Sequence, residues 1–211
     1  MSKMISKKLR FTFFILLELV LFALFYINLY LTDSSLPFYL YVGLFPPILF
    51  FLVYISESSR KELKKLLLSK DMIVLFAVIS VWIYIYALDK LSIPYIFSTL
   101  YFPVLIEELN FRYLITSYLS EVMSLPRAIV VQAFLYTLLY ASYIIVLPGS
   151  YPGIYAPLFI IDMLSVGLIY GAVYYIRRNL YIDISFHLSL WLMAAVIPFL
   201  LVWIPYTFAP T

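Results

Sequence analysis

The sequence predicts an all-α fold, a polytopic membrane helix bundle of about seven transmembrane helices. Apolar residues make up 65% of the 211 residues and charged residues only 12%, whereas soluble domains are roughly 45–50% apolar and 25% charged. The mean hydropathy of +1.04 points the same way. We therefore expect one integral membrane domain over residues 1–211, without a separate soluble domain.

Seven stretches of the chain have the apolar length, about 20 residues, that a helix needs to cross the hydrocarbon core of a bilayer. They lie at residues 11–31, 37–55, 72–88, 93–118, 127–147, 157–176 and 180–203. Prolines are expected to break or kink two of them, with Pro46 and Pro47 in the second span and Pro103 in the fourth. The first stretch is too long for a signal peptide and no small-residue cleavage site follows it, so we expect it to be retained.

The basic residues fall almost entirely on one side of these predicted spans. Twelve of the fourteen lysines and arginines precede span one or lie between spans two and three, four and five, or six and seven. Because basic loops stay in the cytoplasm, the N-terminus is predicted to be cytoplasmic and the C-terminus outside. The basic stretch 56–71 is predicted to form a helix on the membrane surface, held there by anionic headgroups.

The counts of cysteine and histidine exclude several classes of chemistry. Cysteine is absent and His187 is the one histidine of the chain. Disulfides, thiol catalysis and thiolate metal sites are excluded, and a zinc site of the usual His-rich or Cys-rich type cannot form. We expect no metal and no organic cofactor. The expected partners are the lipid bilayer and a peptide or membrane protein, as substrate or as bound partner, and no nucleic acid.

Three charges lie inside the fourth predicted span, namely Glu107, Glu108 and Arg112. Charge in hydrocarbon is costly, so it is usually paired and usually functional. On an α-helix, Glu108 and Arg112 share a face, while Glu107 points about 100° away. Arg112 should therefore neutralise Glu108 and leave Glu107 available as a general base. The alternative is a structural ion cluster that only locks helices together.

Polar and small residues in other spans have plainer explanations. Glu18, in the first span, is expected to pair inside the bundle in a structural role. Asp183 shares a helix face with His187 and is a candidate to orient its ring, or else lies at the membrane interface. Gly167 and Gly171 form a small-xxx-small pattern, which predicts close helix packing within the bundle, with a dimer face as the alternative.

The pattern Glu-Glu-x-x-x-Arg inside a membrane helix resembles the first motif of the CPBP family, the CAAX-processing and bacteriocin-processing intramembrane peptidases. The resemblance covers about residues 93–195. It implies a metal-independent, glutamate-type endopeptidase that cuts peptide bonds near the cytosolic face. It also implies that Glu107 activates water, that Glu108 and Arg112 pair and position it, and that His187 stabilises the oxyanion.

The second and third motifs of that family are degenerate in this chain. Where the family has Phe-x-x-x-His, this sequence has Tyr136 and Tyr140, and where an Asn should follow His187, it has Trp191. A phenol stays protonated at neutral pH, so Tyr140 can hydrogen-bond a carboxylate but cannot take a proton from water as imidazole does. The loss of one such catalytic group typically lowers the rate by a factor of ~10²–10⁴.

Three functions therefore remain open at the level of sequence. The first is a peptidase in which Tyr140 or Trp191 serves as a further hydrogen-bond donor. The second is a catalytically lapsed relative that acts as a membrane scaffold, an immunity protein or a partner-binding subunit. The third is proton-coupled transport through Glu107, Glu108 and His187, which is disfavoured because no internal repeat of the kind found in many transporters is visible.

Overall fold

The computed structural model describes residues 6–30, 36–88, 100–146 and 155–196. Regular structure in these ranges is helical throughout, which confirms the predicted all-α class. The helices are α1 (Lys7–Tyr30), α2 (Leu36–Ile55), α3 (Glu57–Leu67), α4 (Met72–Leu88), α5 (Leu100–Leu105), α6 (Glu108–Ile115), α7 (Thr116–Ser120), α8 (Leu125–Val146), α9 (Tyr155–Arg177) and α10 (Leu180–Val196).

Three helices in the described part of the chain are long and apolar enough to cross a membrane. They are Lys7–Asn28, Leu36–Ile55 and Ala156–Arg177. A fourth span results if α3 and α4, which meet at a bend of 68°, are taken together. Among the residues whose side chains are described, the apolar stretches of α8 and α10 are shorter, at Leu125–Ala141 and Leu180–Leu190. The count of seven spans therefore stays a prediction, although a helix lies within each predicted stretch.

The expected break in the second span is absent, because α2 continues through Pro46 and Pro47. A proline at position 46 has no N–H to offer the carbonyl of Val42, four residues earlier. The hydroxyl of Tyr101 supplies the missing donor and hydrogen-bonds the Val42 oxygen at 3.1 Å. The helix is therefore kept intact by a side chain from another element, as is common for prolines in membrane helices.

Residues 100–120, here called the motif segment, form a broken helix at the centre of the bundle. Phe102 has extended dihedral angles (φ −132°, ψ 129°), as expected for the residue before Pro103, so the predicted kink is present. From Glu108 to Ile115 the helix is π-helical, and the Thr116 N–H reaches the oxygen of Phe111, five residues earlier. Helices α2, α8, α9 and α10 surround this stretch. Such wide turns are rare and occur frequently at functional sites.

Several basic stretches of the chain meet at one end of the bundle, here called the basic end (residues 7–10, 56–71, 121–127 and 177–179). Ser58 Oγ donates to Glu121 Oε1 at 2.6 Å, and Arg10 pairs with the same carboxylate at 3.4 Å. Asn179 Nδ2 donates to Ser69 Oγ at 2.8 Å. These contacts join the start of α1, the two ends of α3 and the α9–α10 junction.

Helix α3 is the helix that the sequence predicted within residues 56–71. Ser56 caps it by accepting a hydrogen bond from the Ser59 N–H at 3.2 Å, an arrangement that satisfies one of the free donors of the first turn. Tyr113 of the motif segment donates to the Ser59 carbonyl at 2.5 Å. Leu66 packs against the core, whereas Leu67 is 65% exposed. The position of α3 at the membrane surface stays a prediction.

The two glycines of the small-xxx-small pattern allow α8 and α9 to approach each other closely. A Cβ on Gly167 would lie 3.1 Å from the Ala133 Cα, and one on Gly171 would lie 2.6 Å from Ile129 Cγ2. Gln132 Nε2 donates to the Gly167 carbonyl at 3.0 Å across this contact. The pattern therefore serves packing within the bundle, as predicted.

We expect Gly171→Ala to lower the free energy of unfolding by about 1–3 kcal/mol, because an added methyl group overpacks the α8–α9 contact. Gly43→Ala is the matched control, since a Cβ at that position of α2 meets nothing within 4 Å. That change should be neutral or stabilising by about 0.5–1 kcal/mol. Unfolding of the purified chain in detergent measures both variants, and equal stabilities would show that the contact tolerates widening.

Candidate active site

The motif segment carries its three charges at the centre of the bundle. Glu107, Glu108 and Arg112 are all 0% exposed. Burying a charge is costly unless a partner compensates for it. The partners come from α8, α9 and α10, which pack around the π-helical turn.

Glu108 is held between two cationic or proton-bearing groups. Its Oε2 lies 3.4 Å from Arg112 Nε, which confirms the ion pair predicted from the spacing of four residues. Its Oε1 lies 2.8 Å from His187 Nδ1. Because an ionised carboxylate only accepts hydrogen bonds, the proton of this contact belongs to His187 Nδ1. His187 Nε2 is then the nitrogen that remains for chemistry.

Arg112 lies over two tyrosine rings. Its guanidinium carbon lies 4.7 Å from the ring centroid of Tyr136 and 4.8 Å from that of Tyr170. None of its three nitrogens makes a hydrogen bond to the described residues, so cation–π attraction and the Glu108 ion pair are what compensate the charge. Tyr170 also stacks on the His187 ring at 4.7 Å. One ring therefore contacts both partners of Glu108.

Glu107 differs from its neighbour in having one oxygen with neither a hydrogen bond nor an ion-pair partner among the described residues. The Tyr140 hydroxyl donates to Glu107 Oε1, whereas Oε2 has no hydrogen-bond partner among the described residues. His187 and Arg112 are close enough to act on Glu107 electrostatically. The five predicted site residues therefore form one cluster, and Glu107 Oε2 is its unengaged acceptor.

Of the two roles predicted for Asp183, orientation of the His187 ring is not observed. Neither of its oxygens hydrogen-bonds a described residue, and Glu108 occupies His187 Nδ1 instead. The reason is tertiary, since α10 packs against α6 and brings the ring to a carboxylate on another helix. The side chain of Trp191 lies outside the described residues.

Three residues near the cluster were not assigned a role in the site by sequence reasoning. Asn110, inside the motif itself, donates from Nδ2 to Glu18 Oε2 at 3.1 Å, so Glu18 is paired within the bundle as expected. Tyr136 and Tyr170 contact Arg112. Two features of the sequence could have pointed to these tyrosines. Tyr136 is the aromatic residue at the start of the degenerate second motif, and Tyr170 directly precedes Gly171.

The arrangement is suited to acid–base chemistry on a bound carbonyl compound. A buried carboxylate with a free oxygen can take a proton from water. A histidine held at Nδ1–H can accept a proton at Nε2 or, once protonated there, donate from Nε2 to a developing oxyanion. Among the described residues, no group of three His, Cys, Asp or Glu side chains is placed to hold a metal ion.

The family comparison agrees with this site. Over residues 89–193 the chain matches the family model described as Rce1-like, type II CAAX prenyl endopeptidase Rce1-like. The matched region contains Glu107, Glu108, Arg112, Tyr140 and His187. No curated protein and no solved structure matches the chain. This multi-pass membrane protein therefore belongs to the family of CAAX-type intramembrane proteases.

Proposed function

We propose that this protein is a metal-independent intramembrane endopeptidase in which Glu107 activates water for attack on a peptide bond near the cytosolic face. One observation carries the proposal. Two adjacent buried carboxylates have different partners, with Glu108 engaged on both oxygens by Arg112 and His187, and Glu107 engaged on one oxygen alone. A general base needs such a free oxygen at hydrogen-bond distance from its water.

In the proposed reaction, Glu107 Oε2 accepts a proton while the water oxygen forms a bond to the peptide carbonyl carbon. The carbonyl oxygen becomes an oxyanion, and protonated His187 donates to it from Nε2 while Glu108 holds Nδ1–H. The proton on Glu107 then passes to the leaving nitrogen as the C–N bond breaks. Water has been consumed, and the Glu107 carboxylate is restored.

We further propose seven spans, a cytoplasmic N-terminus and an external C-terminus. The gathering of basic stretches at one end of the bundle supports this orientation, because positively charged loops are retained in the cytoplasm. The substrate would then be a peptide or membrane-protein segment that reaches the site from the bilayer or its cytosolic surface.

The test is cleavage of a broad peptide mixture in lipid vesicles by the purified chain, with Tyr140→His and Tyr140→Phe alongside. We expect slow cleavage by the wild type and a gain of roughly 10²-fold in Tyr140→His, because imidazole beside Glu107 can share the water proton. Tyr140→Phe keeps the ring and removes the hydroxyl, so it controls for packing and should show no gain. New peptide termini are measured by mass spectrometry.

A lapsed family member that binds a partner is the second candidate. It is favoured by the Tyr140 hydroxyl on Glu107, which holds the carboxylate without being able to relay a proton. Folded wild type and folded Tyr140→His that both leave every peptide intact would contradict the peptidase and support this function. Capture of membrane partners would then be the informative experiment.

A further inference from the structure

A cavity of about 630 Å³ lies at the basic end, separate from the buried Glu107 cluster. Its walls come from α3, from Tyr113 of the motif segment, from the end of α9 and from the start of α10. None of the five predicted site residues lines it. Two of its lining residues, Lys65 and Arg178, are exposed, so the cavity opens at the surface of the bundle.

Two cations from different parts of the fold line the cavity. Lys65 comes from α3 and Arg178 from the α9–α10 junction. Neither forms an ion pair with any residue in the described ranges. Glu62 is the acidic residue of the lining. Burial raises the pKa of its carboxyl, and attraction to Arg178 and Lys65 partly offsets that rise.

Arg178 is placed in the cavity by an unusual backbone conformation. Its φ is +51°, the left-handed region that favours glycine, and its N–H closes α9 by donating to the Tyr174 carbonyl at 2.7 Å. Glycine is the common residue at this position after a helix. An arginine in this conformation lowers the stability of the backbone relative to glycine, but it places a cation in the cavity wall. Residues held in such strained conformations cluster at binding sites.

We propose that this cavity binds the phosphate of an anionic phospholipid headgroup between Lys65 and Arg178. Phosphate suits a site lined by two cations, because it can accept charge-assisted hydrogen bonds from both at once. Basic pockets between membrane helices at the cytoplasmic side are known to bind such headgroups. This site is independent of the proposed peptidase chemistry.

A lipid is favoured over a soluble phosphate ester by the apolar surface beside the cavity. Leu66 lines the cavity, and the next two residues, Leu67 and Leu68, are 65% and 74% exposed. Exposed leucines next to a phosphate site fit the acyl chains of a lipid, whereas a soluble ester would have no contact for them.

The test is the thermal stability of the full chain in detergent during titration with dioleoylphosphatidylglycerol. A ligand that binds the folded state raises Tm with concentration. Dioleoylglycerol has the same acyl chains without the phosphate and should give no shift. Glycerol 3-phosphate has the phosphate without the chains, and an equal shift with it would assign the site to a soluble ester instead of a lipid.

Matched variants separate the cavity from the general positive charge of this end. Arg178→Gln and Lys65→Gln should weaken phosphatidylglycerol binding by about tenfold or more, the loss expected for one hydrogen bond to a charged group. Arg177→Gln and Lys64→Gln remove neighbouring cations that do not line the cavity and should retain wild-type binding. Equal losses in all four variants would overturn the proposal, as would the lack of any shift in the wild type.

The variant Arg178→Gly tests whether a loss of phosphatidylglycerol binding is caused by misfolding. Glycine accepts the positive φ at no steric cost, so this variant should be at least as stable as the wild type without lipid. It should nevertheless lose the response to phosphatidylglycerol. An Arg178→Gly protein that is still stabilised by the lipid would contradict the site.

Discussion

Replacing Glu107 by glutamine is expected to abolish peptide cleavage while leaving the fold at least as stable as before. The amide cannot take a proton from water, and loss of a general base typically costs ~10²–10⁴ in rate. Stability should not fall, because Glu107 is fully buried and its carboxylate has one hydrogen bond, from Tyr140. A neutral amide of the same shape is less costly to bury than such a charge.

Initial cleavage rates and thermal unfolding of the same preparations measure the two effects separately. Asp162→Asn is the matched control, since it makes the same change on an exposed position of α9 and should alter neither quantity. Wild-type cleavage by Glu107→Gln would exclude Glu107 as the base and direct attention to His187.

Replacing Arg112 by methionine should lower the free energy of unfolding by about 3–5 kcal/mol, the cost of leaving one partner of a buried pair without the other. Glu108 would keep its His187 contact and lose its permanent cation. Methionine is chosen because it is long, flexible and apolar, so it still fills the space beside Tyr136 and Tyr170.

The double variant Arg112→Met with Glu108→Gln identifies the source of that cost. Removing both charges should recover much of the lost stability, since no uncompensated carboxylate remains. Equilibrium unfolding in detergent gives the free energy of interaction between the two residues. A single Arg112→Met variant that costs less than about 1 kcal/mol would mean that this buried pair contributes no more than a surface pair.

Much of the local structure followed from hydrophobic length and from residue spacing. The apolar stretch 72–88 coincides with α4, because a continuous apolar run bounded by polar residues has one stable conformation in a membrane. The Glu108–Arg112 pair was predictable because residues four apart on a helix lie side by side. Both are properties of the chain over a few residues.

The partners brought by other helices could not be predicted in this way. The ring of His187 meets Glu108, 79 residues away, and not the nearby Asp183. Likewise, α2 passes Pro46 intact because Tyr101 satisfies a carbonyl from outside the helix. Such contacts depend on how whole helices pack against one another, and the spacing of residues along one helix does not determine that packing.

The π-helical turn sets the angular register of everything that follows it. A turn of this kind closes over five residues instead of four, so later side chains are rotated relative to an uninterrupted α-helix. Within it, Tyr113 reaches Ser59 of α3, and beyond it, Tyr118 donates to the Leu52 carbonyl of α2 at 2.7 Å. A helical wheel drawn with constant α-periodicity therefore misplaces the side chains that follow this turn. Which side chains face one another in and after Glu-Glu-x-x-x-Arg depends on the helix type as well as on the spacing in the sequence.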